Sequence, residues 1–189
     1  MLPQWFYSGV STDHREIALL SAVQRRIAVP QVVTAARGLS HFGEHALGWL
    51  ALGGLAALVD RRRRRDWLVA AATVATAHGT SIAVKRVVRR NRPSDPTVSV
   101  LAGTPSQLSF PSSHAASTTA AAVLYGGLLG RRLTPLLVPP MLISRLVLGV
   151  HYPSDVLVGS ALGAAIGAGV RRRLRATRSL PGKGQRGRR

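Results

Sequence analysis

The chain has 189 residues, of which 26 are Lys or Arg and 7 are Asp or Glu, and it has no cysteine. That length suits one domain around one core. The missing cysteine excludes a disulfide, a thiolate nucleophile and a cysteine metal site, and leaves the redox compartment unread. The formal net charge of +19 narrows the partners to nucleic acid, an anionic membrane surface or a phosphorylated substrate.

In chain order, the N-terminus lacks the basic, apolar and small-residue succession of a cleaved signal peptide, and none is expected. Residues 14 to 38 interrupt their apolar positions with Arg25 and Arg26 and break at Pro30, which predicts an interfacial helix on the membrane surface. Five nearly uncharged stretches follow, Gly43 to Val59, Trp67 to Val84, His114 to Gly130, Leu133 to Val150 and Val156 to Val170, each about the length that crosses a hydrocarbon core. The arginines cluster between them, as in a membrane protein, with no aromatic interleaving of the kind nucleic-acid binding would call for. The expected fold is therefore all-α, a polytopic membrane bundle of about five transmembrane helices plus an N-terminal amphipathic helix. The competing reading of these Ala- and Gly-rich stretches is a soluble helical core. Glycines at 159, 163 and 167 have the small-xxx-small spacing of closely packed membrane helices. From Arg171 the chain turns basic and acid-free and reads as a disordered tail. The expected organisation is an N-terminal segment over 1–40, a catalytic bundle over 41–172 and a tail over 173–189.

Alternate sides of the five spans carry 16 and 9 basic residues, Arg145 omitted. The positive-inside rule makes the first side, with the tail, cytoplasmic and turns the polar clusters outward, in a multi-pass plasma-membrane protein.

Four polar clusters border the spans. In HFGEH, His41 and His45 are four apart with Glu44 beside them; two histidines without a third ligand make a poor metal site, and the group is read as a head-group recognition element. In KRVVRRNRP, Lys85 and Arg92 are seven apart and share a face if the helix continues that far, which suits a phosphate. Arg86, Arg89 and Arg90 read equally as interfacial anchors. In SFPSSHAAS, Ser112 or Ser113 caps a helix whose first amides bind anions, with His114 beside them. In SRLVLGVHYPSD, Arg145 lies inside an apolar span and needs an anion. Pro153 starts a helix there that places Asp155 near His151, so that the carboxylate orients the imidazole for attack by its far nitrogen.

Taken together, Lys85, Arg92 and Pro93, then Pro111, Ser112 and His114, then Ser144, Arg145, His151 and Asp155 resemble the three motifs of the type 2 phosphatidic acid phosphatases, KxxxxxxRP, PSGH and SRxxxxxHxxxD. Ser113 stands where that family usually has glycine. The resemblance implies a metal-independent membrane phosphatase without a cofactor, acting on a lipid or polyprenyl phosphate. In it His151 is the nucleophile, Asp155 its support and His114 the acid, while Lys85, Arg92, Ser112, Ser113 and Arg145 bind phosphate. The stretches SFPSSHAAS and LVLGVHYPSD are most similar to a branch acting on decaprenylphosphoryl-5-phosphoribose. Prenyl diphosphate, phosphatidylglycerol phosphate and phosphatidic acid are the alternative substrates, and a non-catalytic basic membrane protein is the alternative of another class. Oligomeric state is not legible.

Overall fold

A computed structural model describes residues 14–179, with side chains through 176. Among the described residues seven α-helices follow one another: α1 His14–Ile27, α2 Pro30–Gly43, α3 Leu47–Val59, α4 Arg64–Val88, α5 Ser113–Leu129, α6 Thr134–Val147 and α7 Pro153–Ser179. Short 3-10 turns at Glu44–Ala46 and Arg61–Arg63 join α2 to α3 and α3 to α4. Among the described residues there is no strand, and a single bridge between Asn91 and Leu108 closes the long loop before α5. The all-helical architecture expected from the hydrophobic pattern is the one observed.

Helix α5 is the centre of the bundle. Most of it is enclosed, from Ser113 to Leu128, and its small Ala, Ser and Thr side chains let α4, α6 and α7 come close on all sides. Its polar groups are satisfied across helices: Trp49 Nε1 donates to Thr118 Oγ1 at 3.1 Å, the Tyr125 hydroxyl donates to the Trp49 carbonyl at 2.8 Å, and Thr119 and Ser160 share a 2.9 Å hydrogen bond. The closest approach is between α5 and α7. A Cβ on Gly159 would strike the Ser112 backbone and one on Gly163 the Ala116 carbonyl, so the glycine spacing seen in the sequence is a backbone-to-backbone contact.

Three helical stretches are long and apolar enough to cross a membrane: Pro30–Val59, Arg61–Val88 and Pro153–Ala176. The protein is a helical membrane protein. Two helices differ in extent from the sequence reading. Helix α2, read as part of a surface segment, is continuous in apolar character with α3 and joined to it through a kink where His45 and Ala46 take left-handed φ of 49° and 60°. Helix α6 is also shorter than the span read from Leu133 to Val150, because Pro135 opens it, Leu148 ends it and Pro139 and Pro140 lie inside. At 14 residues it extends about 21 Å, short of a hydrocarbon core. At the far end, α7 runs through Ser179, so residues 173–179 are helical rather than tail. Residues 1–13 and 180–189, and the rest of the proposed tail with them, lie outside the described residues.

The arginines of the α3–α4 turn and of the last turns of α7 gather at one end, away from Arg86, Arg90 and Arg92. Arg63 Nη1 donates to the Leu128 carbonyl at 2.5 Å, and Arg171 packs beside Gly127. Lys85, His114, Arg145 and Asp155 lie at the other end, where α1, α2 and the 89–112 loop cover the bundle.

Candidate active site

A cavity of about 690 Å³ opens at that end, walled by α2, α4, the 101–108 loop, the start of α5 and the close of α6. His151, Lys85, Arg92, Arg145, His114 and Ser113 all face it, as do His41, Glu44 and His45 at the α2–α3 kink. Ten of the eleven residues singled out in the sequence thus share one cavity or, for Asp155, stand directly behind it.

His151 sits in the turn between α6 and α7. Its Nδ1 is 3.4 Å from Asp155 Oδ2, and its Nε2 is 3.3 Å from Arg92 Nη1. A carboxylate only accepts and a guanidinium only donates, so these partners fix the tautomer: Nδ1 carries the proton and Nε2 presents its lone pair to the cavity. Pro153 begins α7 and places Asp155 in its first turn, as the spacing predicts, and the Tyr152 amide donates to Asp155 Oδ2 at 2.8 Å. Burial pushes the His151 imidazole well below the usual histidine range, and the nearby Arg92, Lys85 and Arg145 cations push it further. A neutral ring is the result.

The cations arrive from three elements. Lys85 lies on α4, where its Nζ donates to the Ser109 carbonyl at 2.8 Å and the Leu108 carbonyl at 3.2 Å. Arg92 does not share a helix face with it, contrary to expectation, because α4 ends at Val88 and Arg89 turns left-handed with φ 55°. The loop brings Arg92 back instead, held by the Ser106 carbonyl at 2.8 Å and the Val150 carbonyl at 2.5 Å. Burial lowers Arg92 to about 10, which leaves it a cation at neutral pH. Arg145, 2% exposed, donates to Ser40 Oγ at 3.1 Å and Ser144 Oγ at 3.2 Å, and its buried Nη2 has no hydrogen-bond partner. A buried guanidinium N–H without an acceptor is costly unless an anion completes it.

Ser112 caps α5, accepting from the Ala115 amide at 3.4 Å, but its own N–H donates to the Asp155 carbonyl at 2.9 Å and it is not on the cavity wall. It braces the site from behind rather than presenting an amide to phosphate. His114 Nε2 lies 3.0 Å from the Ser40 carbonyl, which accepts only, so its proton is at Nε2.

The sequence profile of the PAP2 superfamily matches residues 66–178. The chain belongs to the PAP2 superfamily. It is 56% identical over 154 residues to a decaprenylphosphoryl-5-phosphoribose phosphatase of Mycobacterium tuberculosis, covering 81% of this chain and 87% of that one. With the protein of the same name from Mycolicibacterium smegmatis it shares 57% identity over 145 residues, 76% and 81% of the two chains. Its fold is similar to a transmembrane PAP2-type phosphatidylglycerolphosphate phosphatase of Bacillus subtilis, with TM-score 0.72 at 21% identity, over 96% of this chain and 94% of that one. It is also similar to Aquifex aeolicus LpxE, with TM-score 0.69 at 18% identity, over 83% and 94%.

The PAP2 motif glycine replaced here by Ser113 raises no backbone conflict, since Ser113 opens α5 and is not among the residues with positive φ. Its hydroxyl is 2.7 Å from that of Ser81 on α4, a hydrogen bond that glycine could not make. Sequence reading missed Ser81 and, more consequentially, Ser40, which holds both Arg145 and His114 from outside the matched PAP2 region. No local pattern marks Ser40, because its partners are 105 and 74 residues away.

Proposed function

We propose that this protein is a metal-independent membrane phosphatase that removes the 5-phosphate of decaprenylphosphoryl-5-phosphoribose through a phosphohistidine on His151, a step in making precursors of cell-wall arabinan. The observation that carries the chemistry is the convergence of Lys85, Arg92 and Arg145 on the cavity that holds His151 Nε2, with one Arg145 N–H lacking an acceptor. Three cations there can neutralise the equatorial oxygens of a transferring phosphoryl group, which is most of what this chemistry asks of a protein. In the first step Nε2 forms a bond to phosphorus, the bond to the ribose 5-oxygen breaks, and His114, protonated on both ring nitrogens when the anionic substrate is bound, passes its Nδ1 proton to that oxygen while Nε2–H stays on the Ser40 carbonyl. In the second, water attacks the phosphohistidine, gives a proton back to His114 and releases inorganic phosphate. Asp155 holds the Nδ1 proton throughout.

The choice of lipid rests on the two mycobacterial relatives, and His41, Glu44 and His45 supply the polar edge that a ribose would meet. Phosphate release from a panel of lipids tests it: the decaprenyl phosphoribose is expected to exceed prenyl diphosphates, phosphatidylglycerol phosphate and phosphatidic acid in kcat/KM, and a preference for any of these would overturn the assignment. In the same assay His41→Ala and Glu44→Ala should each raise KM by about 3- to 10-fold, the worth of a lost hydrogen bond, with kcat unchanged. An unchanged KM would remove these residues from head-group recognition.

The chain is proposed to cross the plasma membrane about five times, with the site extracytoplasmic and the arginine-rich end cytoplasmic, as the basic-residue asymmetry favours. Because the chain has no cysteine, a single Ser94→Cys in the loop before α5 reports the side cleanly. A membrane-impermeant maleimide should label it in intact cells and leave Arg131→Cys unlabelled; the reverse pattern would invert the topology.

A further inference from the structure

Arg90, which the sequence offers only as an interfacial anchor, faces neither lipid nor the phosphate cavity. It is 8% exposed, and its guanidinium is held on every side. Nη1 donates to Asp155 Oδ1 at 2.9 Å and to Ser154 Oγ at 2.6 Å, Nη2 donates to Glu16 Oε2 at 2.5 Å, and Cζ lies 3.8 Å over the Tyr152 ring. Glu16, on α1, also accepts the Ser154 amide at 2.8 Å through Oε1. Two carboxylates therefore share one guanidinium. One orients the candidate nucleophile; the other comes from a helix outside the matched PAP2 region.

Two physical consequences follow for Asp155. Rotation about the bond carrying its carboxylate is intrinsically broad, and the Arg90 contact on Oδ1 locks it so that Oδ2 stays turned toward His151. Arg90 alone would also cancel much of the negative charge that Asp155 presents to an imidazole gaining positive charge. Glu16 restores it, because the three groups together keep a net charge of −1 in a largely dry site. The anchoring of α1 itself does not need this pair. Gln24 already ties α1 to the bundle, donating to the Ser99 carbonyl at 2.7 Å and the Val147 carbonyl at 3.0 Å and accepting the Ser99 amide at 2.9 Å.

We propose that Glu16 and Arg90 form a positioning relay that holds the Asp155 carboxylate against His151, which makes helix α1 part of the catalytic apparatus rather than a surface anchor. This rests on the reading of His151 and Asp155 as nucleophile and support.

The test measures kcat, KM and melting temperature of the full chain in detergent with the decaprenyl phosphoribose or the best lipid of the panel. Arg90→Gln should lower kcat by about 10- to 100-fold with KM little changed, the scale on which loss of an outer-shell partner is felt. Arg90→Lys should recover part of that loss. Glu16→Gln, nearly isosteric, should lower kcat by roughly tenfold, and it carries the test if Arg90→Gln does not fold. Added to Asp155→Asn, Arg90→Gln should cost little more, since its route to the nucleophile is already gone. Gln24→Ala should lower the melting temperature and leave kcat in place. Wild-type kcat in Arg90→Gln or Glu16→Gln beside an inactive Asp155→Asn would overturn this proposal alone, as would a full Arg90→Gln loss in the Asp155→Asn background. A fully active Asp155→Asn would overturn the reading beneath it as well.

Discussion

His151→Ala is expected to lower turnover by at least about 10⁴-fold, the scale on which removal of a covalent nucleophile or its orienting partner is felt. The expectation follows from the tautomer. With Nδ1–H committed to Asp155 at 3.4 Å, the ring has one lone pair, at Nε2, which lies 3.3 Å from Arg92 Nη1 on a cavity that Lys85 and Arg145 also line. Ser113 is hydrogen-bonded to Ser81 and His114 donates from Nε2 to the Ser40 carbonyl, so both are engaged in the site's own hydrogen bonds. Binding should survive better than turnover, because Lys85, Arg92 and Arg145 remain. A His151→Ala enzyme with turnover near wild type would end the covalent mechanism, and a loss confined to KM would make His151 a binding residue.

Gly163→Leu is expected to cost about 3 kcal/mol or more of stability, at the upper end of what overpacking does, because the obstacle is backbone and cannot rotate away. A Cβ there would overlap the Ala116 carbonyl of α5, so α7 must move off the central helix. Activity should fall further than packing alone explains, since α7 carries Asp155 and α5 carries Ser113 and His114. Gly169→Leu is the matched control. Nothing lies within 4 Å of a Cβ at 169, and that variant should melt within a few degrees of wild type in detergent, consistent with a change of about 0.5 kcal/mol or less. Equal melting temperatures for the two variants would mean that the α5–α7 crossing is not where the glycines matter.

What the sequence makes legible is what depends on local spacing. Pro153 followed two residues later by Asp155 sets a helix start and a carboxylate in its first turn, and the glycines at 159, 163 and 167 mark one face of α7. Three motifs scattered from Lys85 to Asp155 could be assigned to one site because each sits at the end of an apolar run on the same side. What escapes is fixed by contacts between distant residues. Arg92 reaches the site only because Arg89 turns left-handed and the Asn91–Leu108 bridge folds the loop back. Arg90 is indistinguishable in sequence from Arg86 and Arg89, and its role is set by Glu16 and Asp155, 74 and 65 residues away. The same is true of Ser112, whose amide is available to phosphate in a capped helix taken alone and is occupied once α7 packs against it. Helix α2 shows the same limit: Pro30 and Arg37 look interfacial in the sequence, and only the fold brings Ala36, Val32 and Val33 onto Val147, Leu148 and Val150 at the end of α6.

The most direct test of the account is to quench the enzyme during turnover of a lipid labelled in its phosphate and to ask where the label sits. A covalent label that is lost in acid, survives alkali, maps to the peptide containing His151 and is absent from His151→Ala is the predicted result. No covalent label under conditions of rapid phosphate release, or label on a peptide without His151, would contradict it.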